Sequence, residues 1–195
     1  QLLAEAAAAY PKHVAVRLVL RYLPFGLRIE ARLTYAELDH LSDRFAAALA
    51  GLGIRKGDRV AIMLPNLPQQ VIAYFGVLKA GAIVVNTNPT YPAYELEPLL
   101  RSTGAETIVT LSGLYERVRE VQGQTAIRRI ILTDIPEMVG WPWRGLVAKQ
   151  ARTAGMLAEL PANAPVLWLN QLIATAPAQA PDAPIDPAVD TAIFQ

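Results

Sequence analysis

Between Arg59 and Thr133 the chain sets four short apolar runs, Arg59-Val-Ala-Ile-Met-Leu64, Ala82-Ile-Val-Val85, Glu106-Thr-Ile-Val-Thr110 and Arg129-Ile-Ile-Leu-Thr133, among segments of helical spacing. A strand with water on one face alternates apolar and polar residues; these runs do not, so they belong in strands covered on both faces. With helices between them, the arrangement they dictate is an α/β fold with a parallel sheet between two helical layers. Right-handed crossovers make such a layer doubly wound.

The helices are marked as clearly as the strands. Thr34-Tyr-Ala-Glu37 has capping-box spacing, and Leu38, Leu41, Phe45 and Leu49 follow at three- and four-residue steps up to Gly51 and Gly53. In Pro65-Asn-Leu-Pro68, Asn66 can cap and proline suits a first turn; the helix that follows runs to about Lys79, with Val71, Ile72, Phe75 and Leu78 as its buried stripe and Gly81 as its stop. Asn86-Thr-Asn-Pro89 reads as a turn, and helices are predicted near 93–102 and over Leu114 to Val121. Pro98 lies inside the first of these, where it removes a donor and collides with the preceding turn at a cost of roughly 3 kcal/mol, so a kink or early stop is predicted there. Ahead of the layer, Val14 to Leu23 and Leu27 to Leu33 alternate like a hairpin turning at Pro24-Phe-Gly26.

Composition narrows the functions open to such a fold. The 195 residues include no Cys and two His, which removes disulfides and thiolate chemistry and supplies a zinc or iron site poorly. A net charge of +1 is far from the basic character of nucleic-acid partners, so none is expected. The longest apolar stretch, Val71 to Leu78, spans eight residues against the roughly 20 needed to cross a bilayer. A cytoplasmic protein is the expectation.

The charge is unevenly spread. No Lys or Arg follows Arg152, while Glu159, Asp182, Asp186 and Asp190 do. Six prolines fall in the same stretch, and residues 174–187 read as a Pro/Ala-rich connector between an α/β subdomain at 1–173 and a strand-like segment at 188–195. The expected division is an incomplete N-terminal subdomain, the connector, and the first strand of a following subdomain. The chain starts at Gln1 and ends just after that apolar segment, so both ends read as cut from something larger.

Catalytic groupings are sparse. Gly51-Leu-Gly-Ile-Arg-Lys-Gly57 follows a helix, not a strand, and reads as a helix cap and turn, not a phosphate loop. Ser42, Ser102 and Ser112 lack a nucleophile elbow, and His13 and His40 read as solvated. Glu95 and Glu97 are two apart on a helix and face different directions. Arg117, Arg119, Arg128 and Arg129 suit either a phosphate at the sheet edge or a solvated face. Residues 136–173 hold Trp141, Trp143 and Trp168 among Arg144, Lys149 and Arg152, which admits peripheral membrane contact but reads first as a helix packed on the sheet with snorkelling cations.

Several spaced blocks carry a family resemblance. Leu33-Thr-Tyr-Ala-Glu-Leu38, Gly57-Asp-Arg-Val60, Leu64-Pro-Asn66, Leu78-Lys-Ala-Gly81 and Asn86-Thr-Asn-Pro89, followed by Tyr91, Glu95 and Leu96, resemble the beginning of the adenylate-forming, AMP-binding superfamily. The Asn-x-Asn-Pro turn looks most like its long-chain fatty acyl-CoA ligase branch; aryl-CoA ligases and amino-acid adenylation domains are the rival branches, and a membrane- or partner-binding domain the non-enzymatic rival. The resemblance implies ATP, Mg2+ and coenzyme A as cofactors of the whole enzyme and a fatty acid or related carboxylate as its substrate; a homodimer is a further expectation. In that family the phosphate loop follows an apolar strand that would here be Ala192-Ile-Phe-Gln195, and the remaining binding motifs come later. No catalytic, cofactor-binding or metal-binding residue is therefore assigned in this chain, and it is expected to be inactive alone with none of these cofactors bound.

Overall fold

The computed structural model describes residues 2–161 and 163–194. A short helix, α1 (Leu2–Ala9), leads into an antiparallel hairpin of β1 (Val14–Tyr22) and β2 (Arg28–Thr34). Helix α2 (Tyr35–Gly51) follows with its capping box in place: the Thr34 amide donates to Glu37 Oε2 at 2.8 Å and the Glu37 amide to Thr34 Oγ1 at 3.3 Å. These bonds, the Thr34 backbone first, hold the Glu37 carboxyl below its usual range.

The layer itself is β3 (Arg59–Met63), α3 (Pro68–Lys79), β4 (Ile83–Asn86), α4 (Ala93–Thr103), β5 (Thr107–Leu111), α5 (Tyr115–Gln122) and β6 (Arg129–Thr133). Two-residue strands complete it: β7 (Leu167–Trp168) precedes α7 (Leu169–Thr175), and β8 (Ile193–Phe194) ends the described chain. All six pair in parallel in the order β7-β6-β5-β3-β4-β8. Successive strand residues serve opposite cores. Val60 and Ile62 enter the core of α2, α3 and α7, whereas Ala61 and Met63 enter that of α4 and α5. The expected doubly wound parallel sheet is therefore present. Gln195, the last residue of the expected terminal strand, and Gln1 lie outside the described residues.

Four local expectations need correction. Helix α4 runs unbroken from Ala93 to Thr103 through Pro98. Pro98 sits on the exposed face, where water can satisfy the carbonyl its ring leaves unpaired. The α3 cap position is Leu67, not Asn66, and no side chain caps it; Pro68 opens the helix instead. The α3 stripe is rotated: Ile72, Ala73, Gly76 and Val77 are buried, while Phe75 and Leu78 are half-buried. Close packing on α2 causes this, since a Cβ on Gly76 would stand 2.6 Å from Phe45 Cδ1. Finally, residues 136–173 form no single helix on the sheet. Helix α6 (Arg144–Thr153) packs through Val147 with Ile29 of the hairpin, and only α7 joins the sheet core, through Leu169 and Ile173.

Residues 176–187 contain no helix or strand, but side chains from the rest of the chain hold this stretch at both ends. Arg44 Nε and Nη2 donate to the carbonyls of Ile173 and Ala174 at 2.7 and 2.8 Å, and Lys56 Nζ contacts the Pro184 carbonyl at 2.7 Å and Asp190 Oδ2 at 2.6 Å.

Candidate functional site

Ligands of open α/β sheets collect outside the carboxyl ends of the strands, where the chain departs in opposite directions from a central strand. Here that strand is β3, with β4 on one side and β5 on the other. A groove of about 540 Å³ opens over the ends of β3 and β4, and its walls include Asn66, Asn86, Thr87, Asn88 and Tyr91. None of its lining residues is charged. Asn88 Oδ1 accepts from the amide and hydroxyl of Thr90 at 3.0 and 2.8 Å, which shapes the turn after β4. Arg117 fastens the same turn to α5 by donating from Nη1 to the carbonyls of Pro89 and Tyr91 at 2.8 and 3.0 Å.

On the other side of β3, the ends of β5 and β6 carry a knot of buried polar groups. Ser112 Oγ donates to Asp134 Oδ1 at 2.6 Å and accepts from the Ala158 amide at 2.9 Å. Gln69 Nε2 donates to the Asp134 carbonyl at 2.8 Å, and Thr133 Oγ1 to Glu137 Oε2 at 2.7 Å. Burial pushes the Asp134 carboxyl up to about 6, against the opposing bond from Ser112 and with help from Glu137. Glu137 is raised as well, again by burial. A carboxyl near 6 can exchange a proton close to neutrality. Ser112, however, is 1% exposed with its hydroxyl engaged on both sides, and no histidine bonds to it, so the pair cannot act as an activated nucleophile. Its chemistry is to lock three loops at the strand ends.

The residues weighed from the sequence do not converge. His13 and His40 are exposed, and His13 stands edge-on to Tyr10. Ser42 and Ser102 donate to carbonyls within their own helices, those of Asp39 and Leu99. Glu97 pairs with Arg101 at 3.1 Å, one turn along α4, and Arg128 with Glu106 at 3.5 Å. Arg119 bonds Gln122, leaving Arg117 as the one of the four arginines bound into the turn beside the groove. Sequence reading missed the Ser112–Asp134 bond and also Lys79, whose ammonium bridges Asp39 and Asp43 at 2.6 Å each and ties α3 to α2. The spacing of those aspartates, one turn apart, was the available signal; Ser112 and Asp134 carried none.

Over residues 3–189 the sequence matches the family described as AMP-binding enzyme. The chain belongs to that family. It is 48% identical over 108 residues to a long-chain-fatty-acid–CoA ligase of Escherichia coli O6:H1, a match covering 55% of this chain and 19% of the relative. To the ligase of the same name from Bacillus subtilis it is 37% identical over 143 residues, covering 72% of this chain and 23% of the relative. The fold matches a long-chain-fatty-acid-CoA ligase structure from Archaeoglobus fulgidus with a TM-score of 0.73 at 20% identity, covering 98% of this chain and 32% of that one. The chain thus spans about a fifth of the length of the curated relatives it matches.

Among the described residues no group of three or more His, Asp or Glu side chains is placed to hold a metal ion. Nor, among them, is any helix long and apolar enough to cross a membrane.

Proposed function

We propose that this chain forms the N-terminal scaffold of an ATP- and Mg2+-dependent fatty acid–CoA ligase. In that reaction a fatty carboxylate attacks the α-phosphate of ATP, releasing pyrophosphate and forming acyl-AMP, and coenzyme A then displaces AMP to give the thioester. The observation that supports this reading is the 48% identity over 108 residues to a protein named long-chain-fatty-acid–CoA ligase. The contribution of the chain is architectural: it presents the uncharged groove over β3 and β4 and the locked loops beside it, while the reacting groups come from the rest of the enzyme. Alone it is inactive and holds none of these cofactors.

Residues 1–173 make up the first subdomain, 174–187 the connector and 188–195 the start of the next; the lack of helix or strand from residue 176 to 187 supports the connector.

The test is ATP–pyrophosphate exchange with a panel of carboxylates. The full-length enzyme is expected to exchange with fatty acids and the 195-residue chain with none. Exchange by the full-length enzyme with aryl or amino acids alone moves it to a rival branch, and fatty-acid-dependent exchange by the short chain overturns the scaffold role.

A further inference from the structure

Residues 155–160 cross the carboxyl edge of the sheet with neither helix nor strand. They leave α6 at Gly155, in the left-handed region at φ 69°, and end at Leu160, which packs on the core of α4 and α5. Between those ends the Ala158 amide donates to Ser112 Oγ at 2.9 Å. The backbone lies directly on the turn after β5: a Cβ on Gly113 would overlap the Gly155 carbonyl oxygen and stand 2.6 Å from the carbonyl carbon of Met156. Gly155, Met156 and Glu159 are exposed, Leu157 and Ala158 half-buried, and the ion pair of Arg152 with Glu159 is too exposed to add much. A segment with so little buried apolar surface opens locally at small cost.

What the segment covers is polar. Helix α3 leaves the end of β3 for one core and α5 leaves the end of β5 for the other, so the crevice between them is where open sheets take ligands. Ser112 and Gln69, each 1% exposed, are joined there through Asp134. Gln69 Oε1 has no hydrogen-bond partner among the described residues. Buried acceptors are normally paired, so the crevice gains hydrogen bonds when water enters.

We propose that residues 155–160 are a strap that closes this crevice and lifts as rising pH ionises Asp134. With the strap down, burial holds the Asp134 proton, and its pKa stands at about 6 against an ordinary 3.8. Lifting uncovers Ser112 and, one hydrogen bond further in, the Asp134 carboxyl, which water returns toward its ordinary value. The lifted state therefore binds the proton more weakly, so opening grows with pH between the two values and levels off above about 6. The groups around Asp134 keep this sign. Glu137 adds a like charge, Gln69 of α3 and Ser112 are neutral, Arg144 of α6 acts on Glu137, and Glu159 on the strap is paired with Arg152.

The test is amide hydrogen exchange of the 195-residue chain read by NMR, corrected at each pH for the intrinsic exchange rate. Protection of the Ala158 amide should fall about tenfold between pH 5 and pH 7.5, the change expected if lifting restores the ordinary Asp134 value. Val109, in β5, reports opening of the whole sheet and should stay better protected than Ala158 throughout. Asp134→Asn keeps an acceptor for Ser112 but cannot ionise, so Ala158 should stay protected with no fall across this range. Gly113→Ala should push the strap off and strip Ala158 of protection even at pH 5, with Val109 still protected. Three results would each overturn the proposal: Ala158 exchanging no faster than Val109, Ala158 protection constant across the range, or a fall that survives Asp134→Asn.

Discussion

Ser112 Oγ stands 2.6 Å from Asp134 Oδ1 and joins the ends of β5 and β6, residues 22 apart in the chain. The same oxygen accepts from the Ala158 amide, so a single hydroxyl binds the segment after α6 to the carboxyl edge of the sheet.

Ser112→Ala leaves both Asp134 and the Ala158 amide without this partner. The expected loss of stability is about 1 to 3 kcal/mol, read from the urea midpoint, and Ser112→Thr should not recover it because the added methyl has no room beside the 1%-exposed serine.

Asp134 predicts a pH window. Its folded pKa, about 6, lies above its ordinary value of 3.8, so the folded state holds this proton more tightly than the unfolded chain does. The resulting stabilisation is fully present below the unfolded pKa and is lost as pH rises through about 6. Urea midpoints of the wild type, measured relative to Asp134→Asn at a series of pH values, should therefore fall across this window and level off above it. A flat difference would show that Asp134 titrates normally.

Gly76 allows α2 and α3 to approach. A Cβ there would stand 2.6 Å from Phe45 Cδ1, and Phe45 is fully buried. Gly76→Ala should cost about 1 to 3 kcal/mol in chemical denaturation, and adding Phe45→Leu should cost less than the two single changes summed.

Pro98 lies in an unbroken helix on its exposed face. Pro98→Ala supplies the missing donor and relieves the ring, so a gain of about 1 to 3 kcal/mol is expected in the same assay, with helical circular dichroism unchanged or slightly increased.

What the sequence determined by itself was whatever depends on neighbours a few residues away. Continuous apolar runs settled the parallel sheet, the Thr34 and Glu37 spacing settled the start of α2, and Pro24-Phe-Gly26 settled the hairpin turn, because periodicity, caps and turns are local physics. Contacts across the sheet were left to the tertiary structure. Two-residue strands such as Leu167–Trp168 have too little pattern to be seen and exist because β6 offers them an edge. The face that α3 buries was decided by Phe45, the helical continuity at Pro98 by its exposed position, and the packing of Val147 by a hairpin more than a hundred residues earlier. The knot around Ser112 belongs to the same class: its partners come from separate loops, and only packing of the completed sheet brings their polar atoms within hydrogen-bond reach.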